Sequence, residues 1–195
     1  MSLAAAILTA IGLAACAGLR AFLPLFGLGF AARFTGFPLA ESMDWMTSDV
    51  ALILFGVASA VEIVADKVPV VDNVLDGIQT ILGPAAGILA SFGVFANVPA
   101  PFAIAFAIVA GGAVAGSVHA AAATTRIKST AFTAGTANPV LSVIEDVFAF
   151  ASLFVALVLP MLVLAVLVVF VVWLRRRWVR KRSDRPAAGT QTASP

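Results

Sequence analysis

The sequence contains few charged residues. Asp, Glu, Lys and Arg make up only 11% of its 195 residues, whereas 62% are hydrophobic and the mean hydropathy is +1.07. A soluble domain carries about a quarter charged residues, and a chain with so little polar surface would aggregate in water. The composition therefore excludes an ordinary soluble domain. It predicts an all-α, multi-pass transmembrane helical bundle of about six spans, at roughly 20 residues each.

Cysteine and histidine are equally scarce, with one residue of each kind, Cys16 and His119. A single cysteine excludes an intramolecular disulfide. The sequence also lacks a phosphate-binding glycine loop, a zinc-ligand pair and a Ser-His-Asp arrangement. We therefore predict that the protein is not an enzyme and has no cofactor.

Basic residues are rare except in one run near the carboxyl end. Seven of the twelve Lys and Arg residues lie between positions 175 and 185. Such a run can bind nucleic acid, but directly after an apolar span it is typical of a cytoplasmic anchor. We predict a lipid bilayer and no nucleic acid as partner. The expected domains are a transmembrane domain over residues 1–178 and a cytoplasmic tail over 179–195, first basic and then disordered.

Apolar runs divide the chain into six predicted spans. These spans cover about residues 1–23, 49–65, 84–95 (with a start as early as 74), 102–124, 138–159 and 161–174. Pro24 interrupts the first run, so the helix either kinks there or continues as a broken or re-entrant segment through residue 35. The segment 67–84 is open to the same alternative. Residues 147–174 carry no charge and form either two crossings or one long helix.

Two motifs predict helix starts, Gly83-Pro84 and Asn138-Pro139, because proline suits the first turn of a helix and asparagine can cap it. Small residues spaced by four, among them Gly83 with Gly87, predict close helix contacts. With six crossings and a cytoplasmic tail, the amino terminus is also expected in the cytoplasm.

Five ionisable residues are predicted to lie in the inner third of the bilayer: Glu62, Asp66, His119, Glu145 and Asp146. Ionisable groups in hydrocarbon are costly and usually mark a proton relay or an ion pathway. We expect them to share a polar pocket in which not every carboxylate stays ionised. The alternative is structural, with each group capping a helix, locking the bundle or reaching the interface.

Arg20 is the candidate counter-charge for these acids. In the six-span topology it lies near the outer face, too far from Glu62 for a direct pair. If the first run is instead a hairpin that ends on the inner side, Arg20 is expected to pair with Asp66 or Glu62.

A second polar set consists of Asp72, Asn73 and Asp76. Oxygen ligands at these spacings suit Mg²⁺ or Ca²⁺, which makes the set a candidate cation site. No glycine-ordered loop of EF-hand type accompanies it, so a solvated turn is the alternative.

Several segments resemble the DUF4126 family of bacterial membrane proteins. They are residues 18–24, 62–76, 83–87 and 138–146, and the most specific is Glu62-x-x-x-Asp66-Lys67-x-Pro69-x-x-Asp72. The resemblance implies a multi-pass bacterial membrane protein and assigns no activity or catalytic residue. We expect the bacterial inner membrane as its location.

These observations favour a small transporter or channel for an ion or small solute, one coupled to protons through the intramembrane carboxylates. We expect a homo-oligomer, because six short spans enclose little volume. The alternative function is a membrane scaffold or lipid-interacting protein that does not transport and whose basic tail holds anionic headgroups.

Overall fold

The computed structural model describes the backbone of residues 1–183, with side chains except at 69–70, 72–73, 161, 163–174 and 176–183. Within this part the chain is helical and has no β-strand, which confirms the predicted all-α bundle. Contacts divide the chain into one unit of residues 1–160 and another of residues 161–195. The predicted domain boundary at residue 178 falls in the second unit and stays a prediction. Most of the predicted disordered tail, residues 184–195, lies outside the described residues.

Seven α-helices follow one another in the described part of the chain. They are α1 Leu3–Leu19, α2 Phe22–Thr35, α3 Asp49–Ala65, α4 Pro69–Gly93, α5 Ala100–Phe106, α6 Ala113–Thr133 and α7 Asn138–Ser183. A 3-10 helix, Glu41–Thr47, precedes α3, and a π-helical turn, Ala107–Gly112, joins α5 to α6. The predicted sixth span, 161–174, lies in the second unit as part of the helical range of α7.

Three described helical segments are long and apolar enough to cross a bilayer: Val74–Gly93, Ala100–Thr133 and Asn138–Pro160. The 3-10 helix and α3, bent by 68°, form a fourth if they are one broken span. Two further apolar helices, α1 and α2, are shorter, at 17 and 14 residues. The chain is therefore a multi-pass helical bundle, as composition predicts.

The first apolar run forms two helices and not one kinked span. Its break falls at Arg20 and Ala21, ahead of Pro24, which occupies the first turn of α2 where a missing N–H is harmless. At the far end of α2, Arg33 pairs with Asp49 at the start of α3. Since the start of α2 lies beside the end of α3, the two helices are antiparallel.

Arg20 therefore lies at the same end of the bundle as Asp66, with which it forms an ion pair. The expectation that Arg20 lies too far from the acids for a direct pair is wrong. The pair with Asp66 expected for a hairpin is present. The amino terminus is at the opposite end, where Met1 and Leu3 line a small cavity with Val94 and Val98.

Two observed helix boundaries differ from the predicted ones. Pro84 lies inside α4, whose first turn is provided by Pro69 instead, so Gly83-Pro84 is not a helix start. Arg126, which follows the predicted span 102–124, lies in α6, because that helix continues to Thr133. The other proposed start is where the sequence places it, since α7 begins at Asn138.

Close packing between α1, α4 and the π turn depends on small residues. A Cβ atom on Gly87 would lie 2.7 Å from the Ala115 Cβ and 2.8 Å from the Gly111 carbonyl oxygen. A Cβ atom on Gly18 would lie 2.5 Å from the Ala115 carbonyl oxygen. Backbones can approach this closely only where side chains are absent or small. These contacts hold together α1, α4 and α6, the helices that carry or end beside the charged residues.

Gly87→Ala should destabilise the protein by about 2 kcal/mol, because the added methyl group overlaps backbone that cannot move independently. Gly77 is the matched control in the same helix, since a Cβ atom there would meet nothing within 4 Å. Gly77→Ala should be neutral or stabilising by up to about 1 kcal/mol through helix propensity. Reversible unfolding in mixed detergent–SDS micelles measures both. Equal effects of the two substitutions would contradict the packing argument.

Candidate functional site

The break between α1 and α2 is held by a carboxylate from another helix. The first N–H groups of a helix have no partner within it, and α2 has no side-chain cap of its own. Glu62 of α3 replaces the cap: its Oε1 accepts from the Ala21 amide at 2.7 Å and its Oε2 from the Phe22 amide at 3.2 Å. The Gln79 side-chain amide donates to Oε1 at 2.8 Å. One buried carboxylate thus connects α2, α3 and α4.

Asp66, one turn further along the chain, lies between two arginines. Its Oδ2 accepts from the Arg20 Nη1 and from the Arg126 Nη2, the latter at 2.7 Å. Arg20 is fully buried, and Asp66 and Arg126 are 2% and 5% exposed. The second oxygen of Asp66, Oδ1, is buried and has no hydrogen-bond partner in the part of the chain that the structure describes. Asp66 therefore joins the end of α1 to α6.

Each of these arginines also binds a carboxylate near the start of another helix. The Arg20 Nε donates to the Asp146 Oδ1 of α7 at 2.7 Å, and the Arg126 Nη1 donates to the Asp76 Oδ1 of α4 at 2.6 Å. Asp76 and Asp146 lie seven residues after Pro69 and Pro139, respectively. The same spacing after the same first-turn residue places both carboxylates two turns into their helices.

Further contacts extend this group at its edges. Glu145 pairs with Arg126, and the Lys67 Nζ donates to the Asp146 Oδ2 at 2.6 Å. The Ser142 hydroxyl accepts from the Arg20 Nη2 at 3.2 Å. We call the seven charged residues the Asp66 network: Arg20, Asp66, Lys67, Asp76, Arg126, Glu145 and Asp146.

Four of the six predicted titrating residues, Arg20, Asp66, Glu145 and Asp146, belong to this network. Glu62 lies beside it but forms no ion pair with a described side chain. His119 is separate: its Nε2 is 3.2 Å from the Thr80 hydroxyl, and no carboxylate contacts it among the described residues. The expected carboxylate partner of His119 is therefore not present there.

Only one side chain of the candidate cation set, Asp72, Asn73 and Asp76, is described by the structure. Asp76 is engaged by Arg126, while the side chains of Asp72 and Asn73 lie outside the described residues. Among the described residues, no group of three His, Cys, Asp or Glu side chains could hold a metal ion.

Sequence reasoning missed Lys67 and Arg126 as members of the site. Both lie just outside the predicted spans 49–65 and 102–124, so neither is among the ionisable residues predicted at membrane depth. The charge balance was a usable signal. Five carboxylates in hydrocarbon require partners of positive charge, and two arginines and a lysine can supply them. Their partners, however, lie 60 to 79 residues away for the Arg126–Asp66 and Lys67–Asp146 pairs, and no local pattern identifies such pairs.

Asp66→Asn should lower the free energy of unfolding by about 3–5 kcal/mol, because it leaves two buried guanidinium groups without their shared carboxylate. Asp49→Asn is the matched control. It breaks an ion pair at the other end of the bundle whose carboxylate is 77% exposed, and exposed pairs contribute at most about 1 kcal/mol. Unfolding in mixed micelles compares the two. A loss at Asp66 no greater than that at Asp49 would contradict the role of the network.

Comparison with known families agrees with these motifs. No curated protein and no solved structure matches the chain. The model of a family described as a domain of unknown function, DUF4126, matches residues 7–180. Because this match covers most of the chain, including the α1–α2 break and the Asp66 network, the protein belongs to the DUF4126 family.

Proposed function

We propose that this membrane protein moves a proton or a small cation across the bilayer, with Glu62 as the carboxylate that carries it. The supporting observation is that Glu62 is 4% exposed and yet, among the described residues, has only neutral N–H donors as partners. A carboxylate buried without a basic partner favours a bound proton or cation that balances its charge.

The charge balance of the surroundings supports the same proposal. Glu62 and the network together contain five carboxylates (Glu62, Asp66, Asp76, Glu145 and Asp146) and three basic groups (Arg20, Lys67 and Arg126) among the described side chains. Two negative charges are thus in excess. In a medium of low dielectric constant, such an excess favours uptake of positive charge.

The Asp66 network would act as the barrier at one end of the path. It connects α1, α4, α6 and α7, and its ion pairs must separate for a cation to pass between those helices. We place this end in the cytoplasm, because Lys67 and Arg126 lie there and basic residues concentrate on the inner side. The amino terminus is then outside. The bacterial inner membrane and the homo-oligomer remain parts of the proposal. A cytoplasmic carboxyl terminus requires a second crossing by residues 161–174, because Asn138–Pro160 begins at the network end and spans the bilayer once.

Proteoliposomes test the proposal through flux. A potassium diffusion potential drives protons across the vesicle membrane, and an internal pH-sensitive dye reports their entry. Vesicles with the wild-type protein should acidify faster than protein-free vesicles, and Glu62→Gln should reduce the rate to the protein-free level. Asp49→Asn, an acid at the opposite end, should leave the rate unchanged. Sodium or potassium gradients across the same vesicle membranes test whether the protein carries metal cations.

Absence of any Glu62-dependent flux of protons, sodium or potassium would overturn transport of these ions. It would favour the second candidate, a lipid-interacting scaffold. The observation in its favour is that Glu62 also fixes the start of α2 and the network pairs most of its charges, as a structural lock does. A scaffold of this kind predicts that neutralising the arginines of 175–185 abolishes binding to anionic vesicles, while Glu62→Gln does not change it.

A further inference from the structure

A small pocket opens beside Glu62, between α2, α3 and α4. Its volume is about 150 Å³, well above the roughly 10–15 Å³ that one water molecule needs. Apart from Glu62 and Gln79, its lining side chains are hydrocarbon, among them Phe22, Ala58 and Val61. The pocket therefore combines one carboxylate with apolar walls.

Glu62 has unused hydrogen-bonding capacity toward a ligand. A carboxylate has about four acceptor positions on its two oxygens. The Oε1 atom accepts from Ala21 and Gln79, whereas the Oε2 atom accepts only from the Phe22 amide, at 3.2 Å. Oε2 thus retains an acceptor position that no described residue uses, and a further N–H donor there would leave the partners of the α2 cap in place.

The walls determine which cations suit this pocket. Mg²⁺ and Ca²⁺ require about six oxygen ligands, and the lining side chains supply oxygen from Glu62 and Gln79 alone. An ammonium group needs a hydrogen-bond acceptor of opposite charge, and its carbon atoms need apolar contacts. Phe22 adds an aromatic ring, whose face attracts ammonium groups.

We propose that this pocket binds a small organic ammonium ion, whose N–H groups bond to the Glu62 carboxylate and whose hydrocarbon body contacts the walls. The inference rests on the proposed function and names the class of cation carried at the same carboxylate. Bound cation also supplies the positive charge that Glu62 lacks from described side chains.

The test uses n-butylammonium and its neutral isostere, n-butanol, on the full-length protein in dodecyl maltoside micelles. Isothermal titration calorimetry measures binding, and the thermal unfolding midpoint reports stabilisation by bound ligand. Wild-type protein should bind n-butylammonium and be stabilised by it, whereas n-butanol at the same concentration should give neither signal. Equal responses to the two compounds would overturn the proposal, because they would show an apolar site without a role for charge.

Two variants locate the site. Glu62→Gln should weaken n-butylammonium binding about tenfold or more, as expected for loss of a charge-assisted hydrogen bond. Ala58→Leu keeps the carboxylate and its α2 cap, fills the pocket and should abolish binding. The control is Ala122→Leu, which fills a different groove, between α1, α6 and α7, and should bind as the wild type does. Unchanged binding in both pocket variants would overturn the assignment.

The two proposals fail separately. Specific n-butylammonium binding without Glu62-dependent flux of n-butylammonium, protons, sodium or potassium would retain the pocket and remove transport. Glu62-dependent proton flux without n-butylammonium binding would retain transport and remove the ammonium class.

Discussion

One shared carboxylate organises the charged end of the bundle. Asp66 is buried, and the same oxygen accepts from Arg20 and Arg126, which come from opposite parts of the chain. Neither guanidinium could remain in this apolar interior without a partner of opposite charge. The positions of α1 and α6 at this end therefore depend on Asp66, and those of α4 and α7 depend on the second carboxylate that each arginine binds.

Glu62 lies one turn away and behaves differently. Its partners are neutral amides, two of them at the start of α2. The chain reverses direction at Arg20 and Ala21 because this carboxylate satisfies N–H groups that would otherwise be buried without acceptors. The cap and the excess negative charge are properties of the same group. A residue needed for the fold is thus also the group to which the proposed function assigns cation exchange, so its two roles are separated by measuring stability beside flux and binding.

Close backbone packing at glycine residues adds to these polar contacts. Gly87 and Gly111 allow α4 and the π turn to approach until their backbones touch, and Ser91 donates a hydrogen bond to the Ala10 carbonyl at 3.1 Å. In hydrocarbon there is no hydrophobic driving force between helices, so close contact and hydrogen bonds must hold them.

The sequence by itself determined the membrane class, the all-helical bundle, the extent of α3 and the start of α7, because these follow from composition, apolar length and proline position. It also singled out Glu62 and Asp66, since ionisable groups within apolar runs are conspicuous. Only the tertiary structure decided that α1 and α2 form a hairpin, that Arg126 and Lys67 join the acids and that His119 does not. Arg20 and Asp146 are 126 residues apart, and such a pair depends on how each helix is rotated and packed, which no local pattern records.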